Sequence, residues 1–281
     1  MFGDLTRVGA NFHAIEAWSN LKKVNGDIGQ IQSRLSTGKR INSAEDDTSG
    51  YALSKQLESR VRGLSQALDN VGTAKNVLKI AEGSYQSQMS ILQRLKEKAT
   101  QAADGSFSTA QRTAINDEYT ALVKELQDIS DQAKFNDNTL FGSSMTFQVG
   151  EDNSNTLAVS FDSSTSAAIG EDNTDVSTSS VKLSTAASAS QAIGTLDTAI
   201  KSLAKSIQEM GDFNARLSSK EESLSIAISN TEATRSRIED ADFAKEQMSM
   251  MKLQILQQTT VSSFAQANAA PQSVLTLFYR S

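Results

Sequence analysis

Residues 57–99 read LESRVRGLSQALDNVGTAKNVLKIAEGSYQSQMSILQRLKEKA, and in them Leu57, Leu64, Val71, Leu78, Tyr85, Leu92 and Ala99 recur at every seventh position. Val61, Leu68, Ala74, Ala81, Met89 and Leu95 fill a companion row at offsets of three or four. Apolar residues spaced three and four apart share one face of an α-helix. Six consecutive heptads exceed the three or four that mark a coiled coil. A helix over residues 44–103 would be on the order of 80 Å long at 1.5 Å per residue. That outruns a compact core, so the pattern predicts a helical rod.

The same period recurs on either side. Asp104–Gly105 breaks the first long helix, Ser108 is placed to cap another, and Ile115, Tyr119, Leu122, Leu126, Ile129 and Ala133 form its stripe. So short a connection predicts an antiparallel neighbour. From Ser188 onward Leu196, Leu203, Met210, Leu217 and Leu224 are again heptad-spaced, with Ile193, Ile200, Ile207 and Ile228 beside them. The chain opens on Leu5, Val8, Phe12, Ile15, Trp18, Leu21, Val24, Ile28, Ile31 and Leu35. It closes on Ala241, Ala244, Met248, Met251, Ile255, Val261, Phe264 and Ala265, with Pro271 expected to kink or end the last helix. Two amphipathic ends, neither able to bury its stripe alone, predict pairing with each other, with copies of the chain, or with both.

Between the helical blocks the period changes to two. Met145, Phe147 and Val149, then Leu157, Val159 and Phe161, alternate with polar residues around the turn formers of Gly150–Asn155, which predicts a β-hairpin. Residues 135–181 contain no Lys or Arg but seven acids: Asp137, Glu151, Asp152, Asp162, Glu171, Asp172 and Asp175. The net charge of the chain is -6, so this stretch holds all of the excess and the helical parts are nearly neutral. Gly170–Thr174 echoes Gly150–Ser154, a two-copy repeat too short to define a solenoid.

Composition excludes several classes of function. The chain has 281 residues, one Pro, 6% aromatics and no Cys, which suits long helices and rules out disulfides and thiolate metal sites. No basic footprint for nucleic acid is present, and no apolar run reaches the ~20 residues of a membrane span. Met1–Ala10 lacks the basic and apolar regions of a cleaved secretory signal. The single His13 sits in the amphipathic opening segment, where an interfacial role outweighs a catalytic one. Glu45–Asp46–Asp47 lacks the alternating ligands of a calcium loop and reads as a helix start. No catalytic, cofactor-binding or metal-binding residues are expected.

Ser36-Thr-Gly-Lys-Arg-Ile-Asn-Ser-Ala-Glu-Asp-Asp-Thr-Ser-Gly50 and Leu92-Gln-Arg-Leu-Lys-Glu-Lys-Ala-Thr-Gln-Ala-Ala-Asp-Gly105 closely resemble the N-terminal signature of bacterial flagellin. Ser236-Arg-Ile-Glu-Asp-Ala-Asp-Phe-Ala-Lys-Glu246, Gln254-Ile-Leu-Gln-Gln258 and Ala265-Gln-Ala-Asn-Ala-Ala-Pro-Gln-Ser-Val-Leu275 resemble its C-terminal signature. The likeness covers roughly residues 1–150 and 186–281. It implies a filament subunit of the bacterial flagellum that polymerises with itself. It also implies terminal helices in an inner tube (D0), longer helices with the hairpin around it (D1), and an extracellular location reached by flagellar type III export without a cleaved signal. Expected partners are an export chaperone, the cap protein and the hook–filament junction proteins. Arg94 and Glu118 match family positions that meet Toll-like receptor 5, but Lys98 stands where that motif has Leu. The plainer reading of Arg94 and Glu118 is surface charge between neighbouring subunits. The opening Met1–Asp4 and the tail Phe278–Ser281 also depart from the usual family pattern.

The expected fold is mainly α: a long antiparallel coiled-coil rod with a small β-rich insertion and paired terminal helices. The expected segments are 1–43 (N-terminal D0), 44–142 (N-terminal D1), 143–187 (hairpin and acidic insertion), 188–237 (C-terminal D1) and 238–281 (C-terminal D0). Leu5, Val8, Phe12, Ile15, Leu21, Ile28, Met248, Met251, Ile255 and Phe264 are the expected self-assembly interface. Three alternatives remain. A hook–filament junction protein would share the terminal helices, but Asp47-Thr-Ser-Gly50 favours flagellin. A flagellin-like enzyme would house its site in residues 143–191, where 19 of 49 are Ser or Thr and there is no His, Cys or aromatic cluster. A cytoplasmic coiled-coil scaffold predicts no surface fibres.

Overall fold

The structure is a computed structural model that describes residues 11–163 and 182–278, the last nine as backbone. Among these residues there are five helices: α1 (Phe12–Thr37), α2 (Thr48–Ala103), α3 (Thr109–Gln132), α4 (Ala186–Glu239) and α5 (Phe243–Phe278). Two small antiparallel sheets lie between α3 and α4: β1 (Lys134–Phe135) with β2 (Asn138–Thr139), and β3 (Ser144–Gln148) with β4 (Thr156–Ser160). The chain divides into two compact units, residues 60–229 and residues 1–59 with 230–281.

In the unit of residues 60–229, α2 and α4 run antiparallel. Lys96 meets Asp197 at 2.5 Å, and Lys75 meets Glu221 at 2.7 Å, so position rises on one helix as it falls on the other. Helix α3 returns along α2, with the Gln88 amide reaching the Leu126 carbonyl at 3.5 Å and Lys98 paired to Glu118. Ser108 caps α3 in a capping box with Gln111, as its place before the stripe predicts. The seven-residue row is buried from Leu64 through Val71, Leu78, Tyr85 and Leu92 to Ala99. Its partners Leu196, Leu203, Met210, Leu217 and Leu224 are buried too, all in one core.

The companion rows match expectation in part. On α2 the second buried row is Ala67, Ala74, Ala81, Gln88, Leu95 and Ala102; Ala74, Ala81 and Leu95 are as expected, while Leu68 and Met89 only pack against its edge. On α4, Ala192, Ala199 and Ser206 are buried where Ile193, Ile200 and Ile207 were expected. In these second rows most enclosed positions take small side chains, and larger ones flank them. On α3, Val123 is buried and Leu122 is at the edge.

The predicted hairpin forms, with Met145 opposite Val159 and Phe147 opposite Leu157. Leu157, Val159 and Phe161 are buried on one face. The smaller hairpin was not expected. It turns on Asn136 and Asp137, both with positive φ (49° and 64°), the residue types that best tolerate that region in a two-residue loop. Past the larger hairpin, Tyr85 donates from its hydroxyl to the Asp162 carbonyl at 3.1 Å and Ser206 donates to the Asp162 carboxylate at 2.8 Å. Burial, with the charges of Asp162 and Glu209, pushes the Tyr85 hydroxyl well above its ordinary pKa, so it remains a donor. The repeat at Gly170–Thr174 and the acids Glu171, Asp172 and Asp175 lie outside the described residues.

In the other unit α1 and α5 form an antiparallel pair. Asn11 reaches Ala267, the Trp18 ring meets Phe264 at a tilt with centroids 5.8 Å apart, Gln257 donates to Asn25 at 2.7 Å, and Arg34 meets Glu246 at 3.7 Å. Gly38 ends α1 in the left-handed region (φ 71°), its amide returning to the Arg34 carbonyl at 2.8 Å. Pro271 does not end the last helix, which continues to Phe278. A helical proline leaves the carbonyl four residues earlier without an amide donor. That carbonyl is Ala267, and it accepts the Asn11 side-chain amide at 2.7 Å. The oxygen of the same Asn11 side chain caps α1 by accepting from Ala14 at 3.1 Å.

Candidate assembly interface

The seam between α1 and α5 covers one face of each helix. On α1 the buried or half-buried positions are Ala14, Ala17, Leu21, Val24, Ile28, Ile31 and Leu35. The predicted stripe agrees from Leu21 onward and drifts away before it. Phe12, Ile15, Trp18 and Leu21 are three apart, and each step of three falls short of a full turn by about 60°. Phe12 therefore lies opposite Leu21, and it is 55% exposed, with Ile15 at 60% and Trp18 at 57%.

On α5 the positions turned toward the pair are Met250, Leu253, Gln257, Thr260, Phe264 and Ala267. The predicted row is the other one. Met248, Met251 and Ile255 stand about 160–200° around the helix from that seam, and are 61%, 55% and 65% exposed. Phe243, Leu256 and Val261 are exposed as well. Helix α5 is thus apolar on two sides, one covered by α1 and one open. A helix with apolar residues all round is stable in water only when enclosed.

The expected interface residues accordingly separate into groups. Phe12 and Ile15 are exposed on the outer side of α1, and Met248, Met251 and Ile255 on the outer side of α5. Leu21, Ile28 and Phe264 are half-buried in the seam within the chain. Leu5 and Val8 lie outside the described residues.

Both signature stretches meet at the base of this pair, in an arrangement that periodicity did not reveal. Lys39 and Asp240 form a short antiparallel bridge, the Arg40 amide donates to the Glu239 carbonyl at 2.6 Å, and the Arg40 guanidinium donates to the Ile238 carbonyl at 2.7 Å. These contacts satisfy carbonyls that the end of α4 leaves without partners. The Glu239 side chain is buried and accepts from Ser54 at 2.6 Å, Lys39 at 2.5 Å and Arg235 at 2.9 Å. Burial alone would raise its pKa; the hydrogen bonds from Lys39 and Ser54 and the charges of Lys39 and Arg235 outweigh it and hold the carboxyl below its ordinary value.

Two acids of the triplet, Asp46 and Asp47, are structural. Asp47 caps α2 by accepting the Gly50 amide at 2.9 Å. A Cβ on Gly50 would crowd the capping Asp47 carboxylate and come within 2.7 Å of the buried Ile41 side chain. Asp46 accepts from Gln30 at 2.7 Å and from the amides of Asn42 and Ser43 at 3.0 and 3.1 Å. Those hydrogen bonds, with the charge of Arg34, hold its carboxyl at about 2, against an ordinary 3.8. Among the described residues no cluster of acids and histidines is arranged to hold a metal ion, and no helix is long and apolar enough to cross a membrane.

Arg94 and Glu118 are both exposed, on α2 and α3. The Glu118 carboxylate is engaged by Lys98 across the two helices, so the residue that replaces the expected Leu also occupies the neighbouring acid.

Comparison with known proteins agrees with this geometry. The family model of the bacterial flagellin N-terminal helical region matches residues 8–146, and that of the C-terminal helical region matches residues 193–278. The chain is 35% identical over 280 residues to flagellin FlaB1 of Treponema pallidum, covering 95% of this chain and 98% of that protein. It is equally identical, over the same shares, to the flagellar filament 33 kDa core protein of Treponema phagedenis. A flagellin of Halalkalibacterium halodurans is 32% identical over 271 residues, 95% of this chain and 97% of that one.

Proposed function

The chain belongs to the bacterial flagellin family and is a structural subunit of the flagellar filament that drives swimming; from that premise we propose that the apolar residues left exposed on the outer sides of α1 and α5 are the surfaces through which copies polymerise. The observation that carries this is the second apolar side of α5, where Met248, Met251 and Ile255 remain exposed after α1 has taken the first side. Burying a large apolar side chain contributes about 1.5–3 kcal/mol, so a few such residues per copy make the filament much more stable than the free chain. The test is Ile255→Asp in the full chain. It leaves the α1–α5 seam intact, so helicity by circular dichroism stays unchanged while seeded polymerisation is lost. Wild-type polymerisation by this variant would remove the open face from the assembly surface.

The same reasoning assigns the finer partners. An uncovered apolar face needs cover before export, which is the work of a flagellar export chaperone on α5. Export follows the type III route to a filament outside the cell, and the cap and hook–filament junction proteins meet subunits at its ends. The subunit works by packing and catalyses nothing. Arg94 and Glu118 are the contacts for Toll-like receptor 5, with Lys98 weakening them.

A further inference from the structure

The unit of residues 60–229 carries a second uncovered surface, distinct from the terminal helices. A groove of about 360 Å³ lies between the larger hairpin and α4, floored by Val149 and Leu157 and edged by Arg216, Ser219, Lys220 and Ser223. Arg216 lies over the Phe213 ring at 5.6 Å. Neither Arg216 nor Lys220 has a carboxylate partner among the described residues, and both are exposed. Glu221, the acid next to Lys220, is engaged by Lys75. The groove therefore presents two uncompensated cations one helical turn apart above an apolar floor.

A matching surface exists on the same chain. The face of α3 turned away from the core carries Asp117, Glu125, Asp128 and Asp131 with a single base, Lys124. Asp131 is partly engaged by Gln127. Glu125 and Asp128 are three residues apart and exposed, so their carboxylates share one helix face at the one-turn spacing of Arg216 and Lys220. We propose that the Arg216–Lys220 groove of one subunit receives the Glu125–Asp128 face of α3 from a second copy of the chain. Two different patches on one molecule make a head-to-tail contact, which builds an open filament when its rotation does not close into a ring. Complementary charge fixes the register of such a contact and speeds association, and salt weakens it.

This inference rests on the assembly function but on different residues from the exposed apolar ones of α1 and α5. The test is seeded elongation of full-length protein at low and high salt. Arg216→Glu with Lys220→Glu should raise the critical concentration about tenfold, as should Glu125→Lys with Asp128→Lys. The chain carrying all four reversals should recover to within about threefold of wild type, which a folding defect could not produce, because it contains every substitution. Wild-type elongation by either pair, or no recovery in the fourfold variant, overturns the pairing and leaves the terminal-helix surface standing. Failure of the wild-type chain itself to elongate on seeds overturns both.

Discussion

Asn11 joins three tasks in one side chain. Its oxygen caps α1, its nitrogen fills the carbonyl left open by Pro271, and in doing both it ties the start of α1 to α5. Asn11→Ala removes the cap and leaves the Ala267 carbonyl dependent on water. The expected cost is about 1–2 kcal/mol in the α1–α5 pair. Asn11→Asp keeps the cap but not the donor and should fall between the two, as amide hydrogen exchange in residues 12–17 would report. Asp46 makes an acid-dependent contribution. Its folded pKa of about 2 lies below the ordinary 3.8, so the stabilisation is full above the ordinary value and disappears as pH falls through the folded one. Thermal midpoints of wild type and Asp46→Asn should therefore converge between pH 4 and pH 2. A gap that stayed constant across that window would rule out the carboxylate as its source.

Among the elements, α2 and α4 show what a heptad pattern conveys. Large residues at every seventh position predicted one buried row on each helix, and those rows are buried. In the second rows Ala74 and Ala81 were expected, but Ala67, Ala192 and Ala199 escape a search for large apolar residues because alanine is equally at home on an exposed helix face. Ala74 is fully buried, so Ala74→Leu should overpack the seam and cost about 1–3 kcal/mol. The same change at the exposed Ala52 should stay within about 0.5 kcal/mol. Chemical denaturation of both variants checks the contrast. Helix α5 shows the limit of periodicity most clearly: two apolar faces satisfy the same spacing, and the stripe of Met248, Met251 and Ile255 is the one that α1 leaves uncovered.

At the scale of the whole molecule, function depends on which surfaces the fold leaves for others. Lys98 illustrates how one residue changes such a surface. At the receptor surface proposed above it places an ammonium where the resembling motif has Leu, and it engages Glu118 within the chain. Lys98→Leu should raise activation of Toll-like receptor 5 in reporter cells at least several-fold, for the loss of an exposed ion pair worth about 0.2–1 kcal/mol. Unchanged activation would remove Lys98 as the attenuating residue.

The amino-acid sequence by itself determined the helices, their antiparallel return, the hairpin and the family, because these follow from local periods, turn residues and long ordered motifs. The tertiary structure alone decided which face of α5 meets α1, that Ala67, Ala192 and Ala199 line the second seam, and how Glu239 and Asn11 find partners more than a hundred residues away. Those choices depend on what lies opposite each side chain, and residue spacing along one helix carries no information about that.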